Sequence, residues 1–98
     1  MKAKITRIET KTRGEIFGPN TEYGKPDDRV IVIHFAPIME DGEIDPYFEA
    51  NQVFNISKHP LSHLSKFIKR YGAPEEGITV DIHQKTGYWK IILEDEGE

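Results

Sequence analysis

The spacing in this chain with the plainest chemical meaning is His59 and His63, four apart where a helix is expected to begin. Two imidazoles one helical turn apart can share a metal ion. Pro60 weakens that reading, because a proline suits the first helical turn and leaves His59 at or before the cap. No carboxylate stands beside the pair, and the chain has only four histidines, so solvated residues at a helix start are the plainer reading and no metal or other cofactor is expected. Covalent catalysis finds no better footing. Ser57, Ser62 and Ser65 cluster at the same helix start, but no nucleophile elbow or phosphate loop surrounds them. Asp27-Asp28 and Glu75-Glu76 fall in polar stretches where nothing would move a carboxyl pKa. No catalytic residue is expected and the chain does not read as an enzyme.

Charge is more informative than any pair of residues. The net charge is −4 with no cysteine, so disulfides and thiolate ligands are excluded. The charge is segregated. Lys2, Lys4, Arg7, Lys11 and Arg13 face only Glu9 in the first 13 residues, and residues 50–74 hold Lys58, Lys66, Lys69 and Arg70 with no acid. Of 17 acids, eight sit in residues 40–45 and 94–98, leaving nine acids against 13 basic residues elsewhere. An anion meets that distribution and not the sum. The same segregation would let an acidic segment of one protomer meet the basic helix of another, so self-association or a protein partner is the competing expectation. The opening Met1-Lys2-Ala3-Lys4 has no apolar segment behind it, and no run approaches the length of a membrane span, so a cytoplasmic domain without membrane contact is expected.

Ninety-eight residues allow one domain, expected over residues 1–93 with 94–98 as a frayed acidic tail. Residues 2–17 read as one long strand. Ile5 and Ile8 are three apart, which breaks strict alternation, and Gly14 lies inside the run; both point to a bulge or bend. Residues 29–36 form a Val/Ile-rich strand that Pro37 ends. Residues 47–56 form a third strand, with Phe48, Ala50, Phe54 and Ile56 on one parity. A helix over about 60–71 carries Leu61, Leu64, Ile68 and Tyr71 as an inward stripe with Phe67 beside it, capped by Ser57 or His59 and closed by Gly72. Residues 77–83 and 88–93 alternate as two strands about a turn at Gly87, with Trp89 on the core parity.

The order β-β-β-α-β-β is mostly β (α+β) and resembles the OB-fold, a five-stranded Greek-key barrel with its helix between strands three and four. The bent first strand with Gly14 and the hairpin at Gly87 carry the resemblance, which rests on element order across nearly the whole chain. Such barrels bind oligonucleotides or oligosaccharides on strands two and three and the loops beside them. The resemblance therefore implies a single-stranded DNA- or RNA-binding surface made of Tyr23 and Lys25 after strand one, Arg29 and His34 on strand two, Tyr47 and Asn51 on strand three, and Lys85, Tyr88 and Lys90 at the last hairpin. Tyrosine rings would stack on bases and the cations would follow phosphates. The acidic residues 40–45 depart from that pattern if they lie over the same face.

Overall fold

The computed structural model describes residues 1–19 and 25–94. Strand β1 (Lys2–Thr12) organises the rest. It pairs antiparallel with β2 (Arg29–Pro37) along most of its length and, through residues 2–4, with β4 (Thr79–Lys85) on its other edge. Strand β3 (Ala50–Asn55) extends the sheet beyond β2, and β5 (Tyr88–Ile91) extends it beyond β4. The result is one five-stranded antiparallel sheet, β3-β2-β1-β4-β5, with two helices, α1 (Arg13–Phe17) and α2 (His63–Tyr71). The fold is thus mostly β, as its alternating segments require. Among the described residues, however, no ladder joins β3 to β5. At that seam the Ile91 N–H donates instead to the side-chain oxygen of Gln52 at 2.9 Å.

The three-residue spacing of Ile5 and Ile8 has the predicted consequence. Ile5 faces Phe35 and Arg7 faces His34, so the register slips at Thr6, which is the extra residue of a β-bulge. The slip lets Ile5 stay fully buried and keeps Ile8 packed on the core, while Arg7 joins the opposite face.

The expected strand over residues 2–17 ends early, at Thr12. The Thr12 hydroxyl accepts a hydrogen bond from the Glu15 N–H, and the Glu15 carboxylate accepts one from the Thr12 N–H, a reciprocal cap that starts α1. Two backbone bonds, Arg13 N–H to Asp28 O and Gly14 N–H to Pro26 O, each 2.7 Å, clamp this turn against the chain before β2. A Cβ on Gly14 would lie 2.9 Å from the Pro26 carbonyl oxygen, which is why glycine stands there. The bend at Gly14 is thus a helical turn and adds an element to the expected order.

Helix α2 also starts later than predicted. Its N-cap is Ser62, whose hydroxyl accepts from Ser65 N–H, and the preceding turn uses Ser57 and His59 as local acceptors. The inward face also differs from the expected stripe. Leu64 and Phe67 are buried and Tyr71 packs against the core, but Leu61 is 70% exposed and Ile68 45% exposed. Phe67 lies between the rings of Phe54 and Tyr71, at 5.8 and 5.1 Å between centroids. Tyr71 ties the helix down: its hydroxyl donates to Ile92 O at 2.6 Å and accepts from Asp81 N–H at 3.2 Å. Burial and the nearby Asp81 hold that phenol above its ordinary pKa, against the Asp81 N–H and Arg70. Gly72 closes the helix with φ 85°.

The last hairpin turns on Thr86 and Gly87, both at positive φ (50° and 84°), the geometry that matches the twist of a two-residue hairpin. Val80, Ile82 and Ile91 are buried as their parity predicts. Strand β3 starts at Ala50 and not at 47, so Phe48 lies outside it and, like Ile56, is exposed; Phe54 alone of that parity is fully buried. None of the helices among the described residues is long and apolar enough to cross a membrane.

Candidate functional site

The residues singled out in the sequence do not gather in one place. Asn51, Tyr88 and Lys90 line a groove where the free edges of β3 and β5 approach each other. His34 lies across the ladder from Asn51 but is buried. Arg29 is exposed at the start of β2, Lys85 at the end of β4, and Lys25 in a turn whose backbone N–H donates to Asp28. Tyr47 is 96% exposed in the connection before β3 and does not reach the groove. Tyr23 lies outside the described residues. The expected single face of Arg29, His34, Tyr47, Tyr88 and Lys90 is therefore not formed, because β3 starts too late to carry Tyr47 and His34 is enclosed by carboxylates.

The groove has a volume of about 890 Å³. Its aromatic walls are Phe17, from the end of α1, Phe48, from the approach to β3, and Tyr88 and Trp89, from β5. Three carboxamides, Asn51, Gln52 and Gln84, lie between them, with Lys90 the cation. No carboxylate is among the described residues that line it, and the acids of residues 40–45 lie apart: Ile38 and Ile44 bridge and close them into a separate turn. Ring-to-ring contacts among the described residues are confined to Phe54, Phe67 and Tyr71, so none of the groove rings is stacked on another ring. Trp89, expected in the core, packs against it with one part and lines the groove with another. Phe17 and Phe48 were missed because each precedes a break in regular structure, where parity says nothing. Gln52 gave a signal, a polar side chain on the same parity as Ala50 and Phe54.

The outer face of β1, β2 and β3 carries a charge cluster centred on His34. Its Nε2 lies 2.8 Å from Glu9 Oε2 and its Nδ1 lies 3.3 Å from Glu49 Oε1. Glu49 also accepts from the hydroxyl of Thr6, the bulge residue, at 2.8 Å. Arg7 and Lys11 each approach Glu9 to 3.9 Å. The Glu9 carboxyl is held below its ordinary pKa, chiefly by the bond to His34 and further by Arg7 and Lys11, against an opposing effect of burial. Arg13 donates to Asn55 on β3. Arg7 and Lys11 share the Glu9 carboxylate and Arg13 is engaged by an amide, so this face offers an anion less free charge than its composition indicates.

The remaining candidates are modest. A depression of about 420 Å³ beside α2 is lined by Leu61, Leu93, Lys66, Lys69 and Arg70, with Glu94 paired to Lys66 at 2.6 Å. Residues 95–98 of the acidic tail lie outside the described residues. The described residues include no group of three or more His, Asp or Glu side chains able to hold a metal, and the His59 Nδ1 accepts from the Leu61 N–H.

No family model, curated protein or solved structure matches this chain.

Proposed function

We propose that the protein binds single-stranded nucleic acid in the groove between β3 and β5, on an OB-type barrel whose seam that groove occupies. The observation that carries this reading is the lining: four aromatic rings with three carboxamides and a lysine, and no carboxylate among the described residues that line the groove. Unpaired bases offer flat faces for Phe17, Phe48, Tyr88 and Trp89, and their edges offer donors and acceptors to Asn51 and Gln84. Lys90, with Lys85 on the adjoining hairpin, supplies charge to the phosphates. A duplex keeps its bases stacked inside and offers the rings nothing. The strand order supports the barrel: β1-β2-β3 and β1-β4-β5 are the two arms that an OB barrel joins at strands three and five.

Fluorescence anisotropy with labelled single-stranded DNA, single-stranded RNA and duplex, at low and at moderate salt, tests this. Single strands are expected to bind, more weakly as salt rises because counterions are released on association. Trp89, the one tryptophan, is expected to report binding through its emission. Absence of binding to every strand at low salt ends the proposal.

A second reading, an assembly or protein-docking module without enzymatic activity, is favoured by the exposure of Leu61, Ile68 and Ile56 around α2. Light scattering across a concentration series separates self-association from a monomer.

A further inference from the structure

Phe48 forms one wall of the groove, yet it precedes the first ladder pair of β3, Phe35 with Ala50. No strand pairing holds it. Its neighbour Glu49 is held instead, by the side chains of Thr6 and His34 on two other strands. Both ring nitrogens of His34 therefore face carboxylate oxygens, Nε2 toward Glu9 and Nδ1 toward Glu49. A carboxylate only accepts, and a neutral imidazole donates from one nitrogen alone; only the imidazolium satisfies both partners.

We propose that His34 is a proton-dependent clamp that fixes the Phe48 wall through Glu49, so that the groove is well formed when the ring carries both protons. This rests on the nucleic-acid reading for its functional consequence but not for the clamp itself. When the ring gives up a proton to solvent, one N–H remains. Arg7 Nη2 also lies 3.5 Å from Nε2, but the Glu9 oxygen is nearer at 2.8 Å, so the remaining N–H stays at Nε2. The Nδ1 lone pair then points at the Glu49 carboxylate and repels it. Glu49 keeps only Thr6, and Phe48 loosens. The charged groups around the ring are Arg7, Glu9 and Lys11 from β1 and Glu49 from the approach to β3; from β3 itself the facing residue is the uncharged Asn51. Imidazole is the side chain that exchanges its proton near neutrality.

The test follows the His34 ring and the Phe48 ring by NMR in the full chain from about pH 5.5 to about 8.5, above the carboxylate range and across that of imidazole. Anisotropy with a labelled single-stranded oligonucleotide is run over the same range. Phe48 is expected to shift with the His34 midpoint, and affinity to fall about two- to tenfold as pH rises through it, the range that one net hydrogen bond supplies. Glu49→Gln, at a half-exposed position expected to fold, should uncouple Phe48 from His34 while binding persists. His83→Gln removes the histidine paired across the hairpin with Lys90, and should leave the coupling intact. A Phe48 ring indifferent to the His34 titration overturns the clamp, whatever the oligonucleotide does. A Phe48 that follows His34 in a protein that binds no strand keeps the clamp and removes the nucleic-acid reading.

Discussion

The side-chain oxygen of Gln52 on β3 accepts the backbone N–H of Ile91 on β5 at 2.9 Å, and so a glutamine stands where a strand ladder would continue. Gln52→Ala leaves that part-buried N–H without its partner, at an expected cost of about 1–3 kcal/mol in urea unfolding. Gln52→Glu keeps an acceptor and should recover part of the loss. Hydrogen exchange of the Ile91 amide is the direct readout: faster exchange in the alanine variant is expected, and unchanged protection would show that the bond does not hold the seam.

Phe67 on α2 and Leu61 in the turn before it lie in opposite environments. Phe67 is fully buried between Phe54 and Tyr71, so Phe67→Ala should cost about 3–5 kcal/mol. Leu61 is 70% exposed, and Leu61→Ala should change stability by about 0.5 kcal/mol or less. Thermal or urea melts of the two variants decide this, and equal losses would contradict the helix orientation.

Gly14→Ala tests the clamp between α1 and the chain before β2. The new methyl meets a backbone oxygen at 2.9 Å, where no side chain can swing aside. An overpacking loss of about 1–3 kcal/mol is expected, although alanine is the better helix former.

If the groove binds bases, Tyr88→Ala and Phe48→Ala should each weaken single-strand binding by about 1–3 kcal/mol, with melting little changed for the exposed Tyr88. Tyr47→Ala is the control, since that ring is more exposed and does not line the groove. Equal effects at 47 and 88 would relocate the site to the connection before β3.

Asp81 holds Lys2 at 2.6 Å and Arg70 at 3.2 Å, and Lys2 first and then Arg70 keep its carboxyl below the ordinary range despite some burial. A carboxyl whose pKa is lower folded than unfolded adds stability that is complete above the unfolded value and is lost as pH falls through the folded one. The acid limb of a stability profile below about pH 4 should therefore flatten in Asp81→Asn. An unchanged limb would mean that Glu9, Glu15 and Glu94, whose carboxyls are also held low, account for it instead.

Local rules recovered much of the framework. The Ile5–Ile8 spacing announced the bulge, Gly87 the hairpin, and Gly72 the end of α2. The reciprocal pattern of Thr12 and Glu15 was also legible as a helix start, but the isoleucines around it read as strand. The stripe on α2 was misjudged in two ways: Leu61 precedes a helix that starts only after Ser62, and the buried arc centres on Leu64, Phe67 and Tyr71, which leaves Ile68 at its edge. The groove was the least legible part. Phe17 and Phe48 come from irregular segments whose meeting depends on pairings across most of the chain, and no local pattern encodes that juxtaposition.

The edge of β1 that receives β4 also shapes how the chain folds. Three rungs, Lys2 with Asp81, Ala3 with Val80 and Lys4 with Thr79, join residues nearly eighty positions apart, whereas the pairings of β2 with β1 and β3 are much more local. Closing so long a loop carries an entropic cost before any contact offsets it, and such contacts slow folding. During synthesis the first three strands can pair while the last hairpin is still inside the ribosome. For that interval the amino-terminal strand presents an unsatisfied edge, and the nascent protein is most exposed to pairing with the wrong strand.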